Sequence, residues 1–166
     1  MLNYSAAAPA ATLLVKYFGG FCLVLVMSWT PPAAVAQSVP ETAASPVGLW
    51  ETIDDKTGKP TAIVEIFERE QRLYGRIEQI LTGADPNSVC VACTDDRKNK
   101  PIIGMIIIRG IKPVGPEYGG GDILDPDSGS VYRCKMHLEK NGSELIVRGY
   151  IGLSLFGRSQ TWHRRT

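Results

Sequence analysis

Beyond Val47-Gly48 the apolar and polar positions alternate mostly with a period of two, which predicts strands rather than helices. The clearest run is Ser130 to Leu138. Tyr132, Cys134, Met136 and Leu138 fall on one face, and Arg133, Lys135 and His137 on the other, the pattern of a half-buried strand. Asn141-Gly142 follows, a strong hairpin signal. Leu145, Val147, Gly149 and Ile151 then alternate with Ile146, Arg148 and Tyr150, so these two strands are expected to pair. Further strands are predicted over residues 49–53, 62–68, 73–81, 105–111, 121–124 and 160–164, with turns at Thr57-Gly58 and Pro126-Asp127-Ser128-Gly129. Glu68 to Arg72 must also turn, yet it contains no Gly, Pro or Asn. Its register is open, and the composition of Glu65 to Arg72 would also suit a short helix. About eight short strands joined by tight turns predict an all-β fold, a small antiparallel barrel or sandwich. Closure would hide the strand edges.

The first 36 residues differ in kind from the rest. They hold a single charge, Lys16, and then the apolar run from Tyr17 to Met27; Pro31-Pro32 and Ala34-Val35-Ala36 come next, before Gln37. A positive segment, a short apolar segment and an A-x-A site make an export signal, cleaved near Ala36-Gln37. The run is shorter than the ~20 residues a spanning helix needs, so no stable membrane span is expected after cleavage. Residues 37–46 are rich in Ala, Ser and Pro and read as a disordered lead-in. Residues 47–166 then form one folded domain, large enough to bury its own core. The location expected is the periplasm or the medium. Lys and Arg number 18 against 17 Asp and Glu; without Lys16 they balance. A nucleic-acid partner is not expected, because such proteins cluster a basic excess.

Residues 82–104 form the one long irregular stretch, and a loop of that length in a compact domain usually has a function or a staple. Cys90 and Cys93 lie within it, and in an oxidising compartment they should join as a disulfide. A thioredoxin-like redox site would need a helix after the pair, whereas the run after Cys93 is polar and stops at Pro101. A structural zinc site could draw on Cys90, Cys93, Cys134 and His137, but Cys134 and His137 would face opposite sides of a strand. Cys134 is then an odd thiol, expected to be buried as a small apolar residue. No cofactor and no metal are expected. Gly119-Gly120-Gly121 lacks the helix and Lys of a phosphate loop, and Asp125-x-Asp127-x-Gly129 is read as a turn rather than part of a calcium loop. Trp50 beside Gly48 is placed to plug one end of a barrel. A late Arg could stack across its face, with Arg164 the candidate and Arg158 the rival.

Gly48-Leu49-Trp50, the Cys90-x-x-Cys93 loop leading to Lys100-Pro101-Ile102-Ile103-Gly104, Gly119 to Pro126, Tyr132-Arg133-Cys134, Arg148-Gly149-Tyr150-Ile151-Gly152 and Leu155 to Trp162 together resemble the DUF2147 family over about residues 47–165. Those are small exported bacterial proteins of unknown function. The resemblance implies a lipocalin-like single barrel and supplies no catalytic residues.

Two functions are weighed. In the first, the barrel holds one small apolar or amphiphilic ligand, lined by Trp50, Leu73, Ile77, Tyr132, Met136, Leu145 and Val147; those same side chains would otherwise simply fill the core. In the second, a filled barrel acts as an envelope protein-interaction module through its loops, Leu153-Ser154-Leu155-Phe156 for example. An enzyme, with Arg76, Glu78, Arg109, Arg148 and Tyr150 around a polar mouth, is the least favoured reading.

Overall fold

The computed structural model describes residues 44–166. The expected export signal, with Cys22, and most of the expected lead-in lie outside the described residues. Eight antiparallel strands follow one another: β1 (Gly48–Ile53), β2 (Pro60–Arg69), β3 (Arg72–Ile80), β4 (Ile106–Val114), β5 (Glu117–Asp125), β6 (Ser130–Glu139), β7 (Glu144–Tyr150) and β8 (Gly157–Arg165). Each pairs with the next, and β8 returns to β1 through Leu49↔Arg165 to Thr52↔Trp162. The sheet is therefore a closed barrel without a free edge. Among the described residues, no helix is long and apolar enough to cross a membrane.

The observed strands coincide with the predicted ones and extend beyond the alternation. β4 runs on through Lys112, Pro113 and Val114, which pair with Gly119, Tyr118 and Glu117. β8 starts early, with Arg158 and Ser159 opposite Gly149 and Arg148. Neighbours on both sides keep the backbone extended where the side chains no longer show a pattern. The segment with the open register is a strand ending in a two-residue turn, not a helix. Glu70 and Gln71 both take left-handed conformations, φ 54° and 59°, between the paired Arg69 and Arg72. Cross-strand contact favours this strained turn: Phe67 stacks on Tyr74 at 5.9 Å, with Arg69 over the Tyr74 ring. Asn141-Gly142 lies inside a longer connection, Lys140 to Ser143, in which Lys140, Asn141 and Gly142 all have positive φ.

The loops divide into two sets. The short connections at Glu70-Gln71, Gly115-Pro116 and Lys140 to Ser143 lie at one end, together with the chain entering at β1. The longer ones, at residues 54–59, 81–105, 126–129 and 151–156, lie at the other. Inward side chains at the first end, Trp50, Ile66, Leu73, Ile111, Met136 and Leu145, are all buried and belong to the single core cluster. That packing is the main source of stability, at about 25 cal/mol per Å² of apolar surface removed from water.

Candidate functional site

The packed end is sealed by Trp50 and Arg164. Trp50 is fully buried, and its Nε1–H donates to Pro46 O at 2.8 Å. The Arg164 guanidinium lies over the indole face, 4.2 Å from the ring centroid, and donates to Gly142 O at 2.6 Å, Val47 O at 3.0 Å and Ser45 O at 2.6 Å. One cation thus closes the barrel end and ties down the chain before β1, so residues 45–47, the last of the expected lead-in among them, are held against the barrel. Gly48 is required beneath it: a Cβ there would sit 2.9 Å from Arg164 Nη1, and its φ is +135°. Of the two arginines weighed from sequence, Arg164 fills this role. Arg158 is at the opposite end, its Nε donating to Asp55 Oδ2 at 2.5 Å.

The other half of the barrel is hollow. A cavity of about 910 Å³ opens between the longer loops. Its depth is walled by Val64, Ile77, Ile107, Val147 and Trp162, all buried. Polar groups in the wall satisfy one another. Thr52 Oγ1 and Thr61 Oγ1 share a hydrogen bond of 2.6 Å, and Trp162 Nε1–H donates to Gln160 Oε1 at 3.2 Å. Among the described residues, no buried side-chain nitrogen or oxygen lacks a partner. The deep wall is mostly aliphatic and aromatic, with Thr52, Thr61 and Gln160 as polar members, a lining that suits an occupant with a sizeable apolar part.

Ile77, Tyr132 and Val147, of the seven residues expected to line a ligand site, stand on this wall. Trp50, Leu73, Met136 and Leu145 point inward as expected but belong to the packed end. The reason is height along the barrel: Leu145 and Val147 are two residues apart on one face of β7, and the fill ends between them. Thr52, Ile107, Gln160, Trp162 and Tyr150 also line the cavity. Thr52, Gln160 and Trp162 could have been found by carrying the phase of Trp50 and Arg164 along their strands. Arg158 keeps the phase of Trp162 on β8 and reaches the cavity rim, whereas Asp54 and Asp125 reach it from a loop and a strand end, where no periodicity marks them.

Residues 82–104 form a lid at the mouth. Cys90 and Cys93 are joined, with Cα atoms 5.5 Å apart. A short ladder (Cys90 N–H to Lys100 O at 2.9 Å, Asn99 N–H to Cys90 O at 2.9 Å and Ile102 N–H to Ser88 O at 2.9 Å) folds the loop back on itself. It packs on the β5–β6 turn, where Cys90 Sγ lies 3.3 Å from Pro126 O, and Gly129 is needed because a Cβ there would fall 2.1 Å from Ala92 O. Arg97, 4 % exposed, anchors the lid to β4 by donating to Ile106 O at 3.3 Å. Its side-chain bond to Asp95 pulls that carboxyl down to about 2, against an ordinary 3.8. Arg109 on β4 holds Asp96 through two bonds, of 2.8 and 2.9 Å. Val89 and Val91 of the lid line the cavity.

The residues considered for a polar mouth do not assemble. Arg76 lies on the outer wall between Glu65 and Glu78, Arg109 serves the lid, and Arg148 holds the β7–β8 loop by donating to Ser154 O and Leu155 O. Tyr150 alone of that set lines the cavity. Cys134 faces the interior, and burial pushes its thiol up to about 12, so it is held protonated and unreactive. The β7–β8 loop carries exposed apolar side chains, Leu155 at 82 % and Phe156 at 74 %.

Residues 48–164 match the family model described as an uncharacterized protein conserved in bacteria (DUF2147). The barrel is similar to protein HP1028 from the human pathogen Helicobacter pylori, described as belonging to the lipocalin family, with a TM-score of 0.65 at 20 % identity. That likeness covers 74 % of this chain and 84 % of the other. It supports the fold. Comparison with curated proteins yields no match.

Proposed function

The chain belongs to the DUF2147 family, and we propose that its barrel is a binding module for a small apolar or amphiphilic ligand. One observation carries the reading. A hollow of about 910 Å³ sits above a packed floor, within the ~300–1,000 Å³ typical of small-molecule sites, and its deep wall is mostly apolar, with Val64, Ile77, Ile107, Val147 and Trp162 in it. A barrel of eight strands is just wide enough for one such occupant. The disulfide, in a family conserved in bacteria, is compatible with an oxidising compartment. The export reading goes further: periplasmic or secreted protein beginning near Gln37. Mass measurement of the protein from its native host tests that step, and a species retaining residues 1–36 would refute it.

The binding test uses a neutral apolar fluorophore, N-phenyl-1-naphthylamine, titrated into the protein. Saturable one-to-one binding at roughly micromolar concentration is expected, and Val147→Phe, which intrudes on the cavity, should weaken it. Linear, unsaturable fluorescence would end the proposal.

A second reading, an envelope protein-interaction module, draws support from the apolar β7–β8 loop tip, exposed at Leu155 and Phe156. A partner recovered equally by the parent protein and by Phe156→Glu would remove that surface from consideration.

A further inference from the structure

The cavity is uneven in charge along its length. Its depth carries no charged side chain among the lining residues. Its mouth carries three carboxylates, Asp54, Asp125 and Asp127, against one cation, Arg158. Arg158 is already matched, since its Nε donates to Asp55 Oδ2 at 2.5 Å, and Asp54 and Asp125 lie near enough to help hold the guanidinium pKa above its ordinary value. Asp54 directs Oδ1 to the Lys56 and Thr57 N–H groups at 3.1 and 2.7 Å. Asp125 directs its oxygens to Asp127 N–H at 3.1 Å and Ser128 Oγ at 2.7 Å. These bonds fix both side chains at the rim without cancelling their charge. Asp127 stands exposed at the tip of the β5–β6 turn. On the remaining arc the rim is apolar, formed by Val89 and Val91 of the lid and Ile151 and Phe156 of the β7–β8 loop.

We propose that the cavity selects its ligand by head group: it takes an amphiphile whose apolar body fills the depth and whose head at the mouth is a cation, an amine or quaternary ammonium, and it discriminates against carboxylate and phosphate heads. This inference rests on the binding reading above and deepens it. An anionic head at the mouth meets three like charges and one cation, Arg158, whose charge Asp55 already balances through the bond to Nε. A cationic head meets the same carboxylates as attraction, and a quaternary ammonium needs no hydrogen bond in return. The rival arrangement, in which Arg158 leaves Asp55 to hold a carboxylate head, predicts the reverse ranking.

Isothermal titration calorimetry of the protein with dodecyltrimethylammonium, monododecanoylglycerol and dodecanoate, each below its micelle-forming concentration, separates these cases. The cation is expected to bind roughly tenfold more tightly than the anion, with the neutral ligand between them, as several partly exposed charges acting together would give. Added salt should narrow the gap. Asp127→Asn should narrow it about twofold, and Asp127→Lys more. Equal or tighter binding of dodecanoate, or a ranking indifferent to both salt and Asp127→Lys, overturns the head-group assignment while leaving the cavity as a binding site. Failure of all three ligands to bind overturns the binding reading, and this inference with it.

Discussion

The two ends of the barrel are built from the same alternation and differ in what crosses the interior. At the packed end Trp50 spans the lumen, Arg164 covers it, and Leu73, Met136 and Leu145 meet around it. At the open end the inward positions include Val147, Gly149, Thr52 and Gln160 beside Ile77 and Trp162, and a space of about 910 Å³ remains. Stability is thus concentrated in one half and binding capacity in the other. A barrel can afford a cavity at one end because the sheet closes on itself and the other end supplies the core.

Removing the plug tests this division of labour most severely. Trp50→Ala should cost about 3–5 kcal/mol, the range for truncating a buried Trp or Phe, read as a shift of the urea midpoint. A loss below about 1 kcal/mol would show that the packed end does not carry the fold. Overfilling the two halves gives the next largest contrast. Leu145→Phe in the packed end should cost about 1–3 kcal/mol, whereas Val147→Phe, one inward position away on β7, should enter the cavity at little cost. Similar thermal midpoints for the two variants would contradict a hollow half. Removing the staple by Cys90→Ser with Cys93→Ser should cost at most about 2 kcal/mol by loop-closure entropy. Amide exchange should then quicken over residues 88–102 and stay slow around Trp50; equal quickening at both places would show that lid and core unfold as one unit. The smallest effect is electrostatic. The folded Asp95 carboxyl titrates at about 2, below its ordinary 3.8, so the stability it lends to the lid is present above the ordinary value and lost as pH falls through about 2. A carboxyl resonance of Asp95 with a midpoint near 3.8 would sever it from Arg97.

Most of the architecture was legible in the chain. Alternation in Tyr132, Cys134, Met136 and Leu138 reports a strand without knowledge of its neighbours, and Cys90 and Cys93 are too close in sequence to need tertiary placement. The need for a turn between Glu68 and Arg72 was legible, but its register was not, because cross-strand stacking of Phe67 on Tyr74 overrides local preference. Nor was the choice between Arg164 and Arg158. Both lie in phase with Trp162 on β8, and only the register with β1, Trp50 opposite Arg164, settles which one meets the indole.

By itself, then, the order of residues determined that the chain makes about eight strands, which side of each faces inward, and which two sulfurs join. The tertiary structure decided where the filling stops. Side-chain parity specifies in or out, but height along the axis depends on strand tilt and stagger. Whether a lumen is full at a given height depends on side chains from strands far apart in sequence reaching one another.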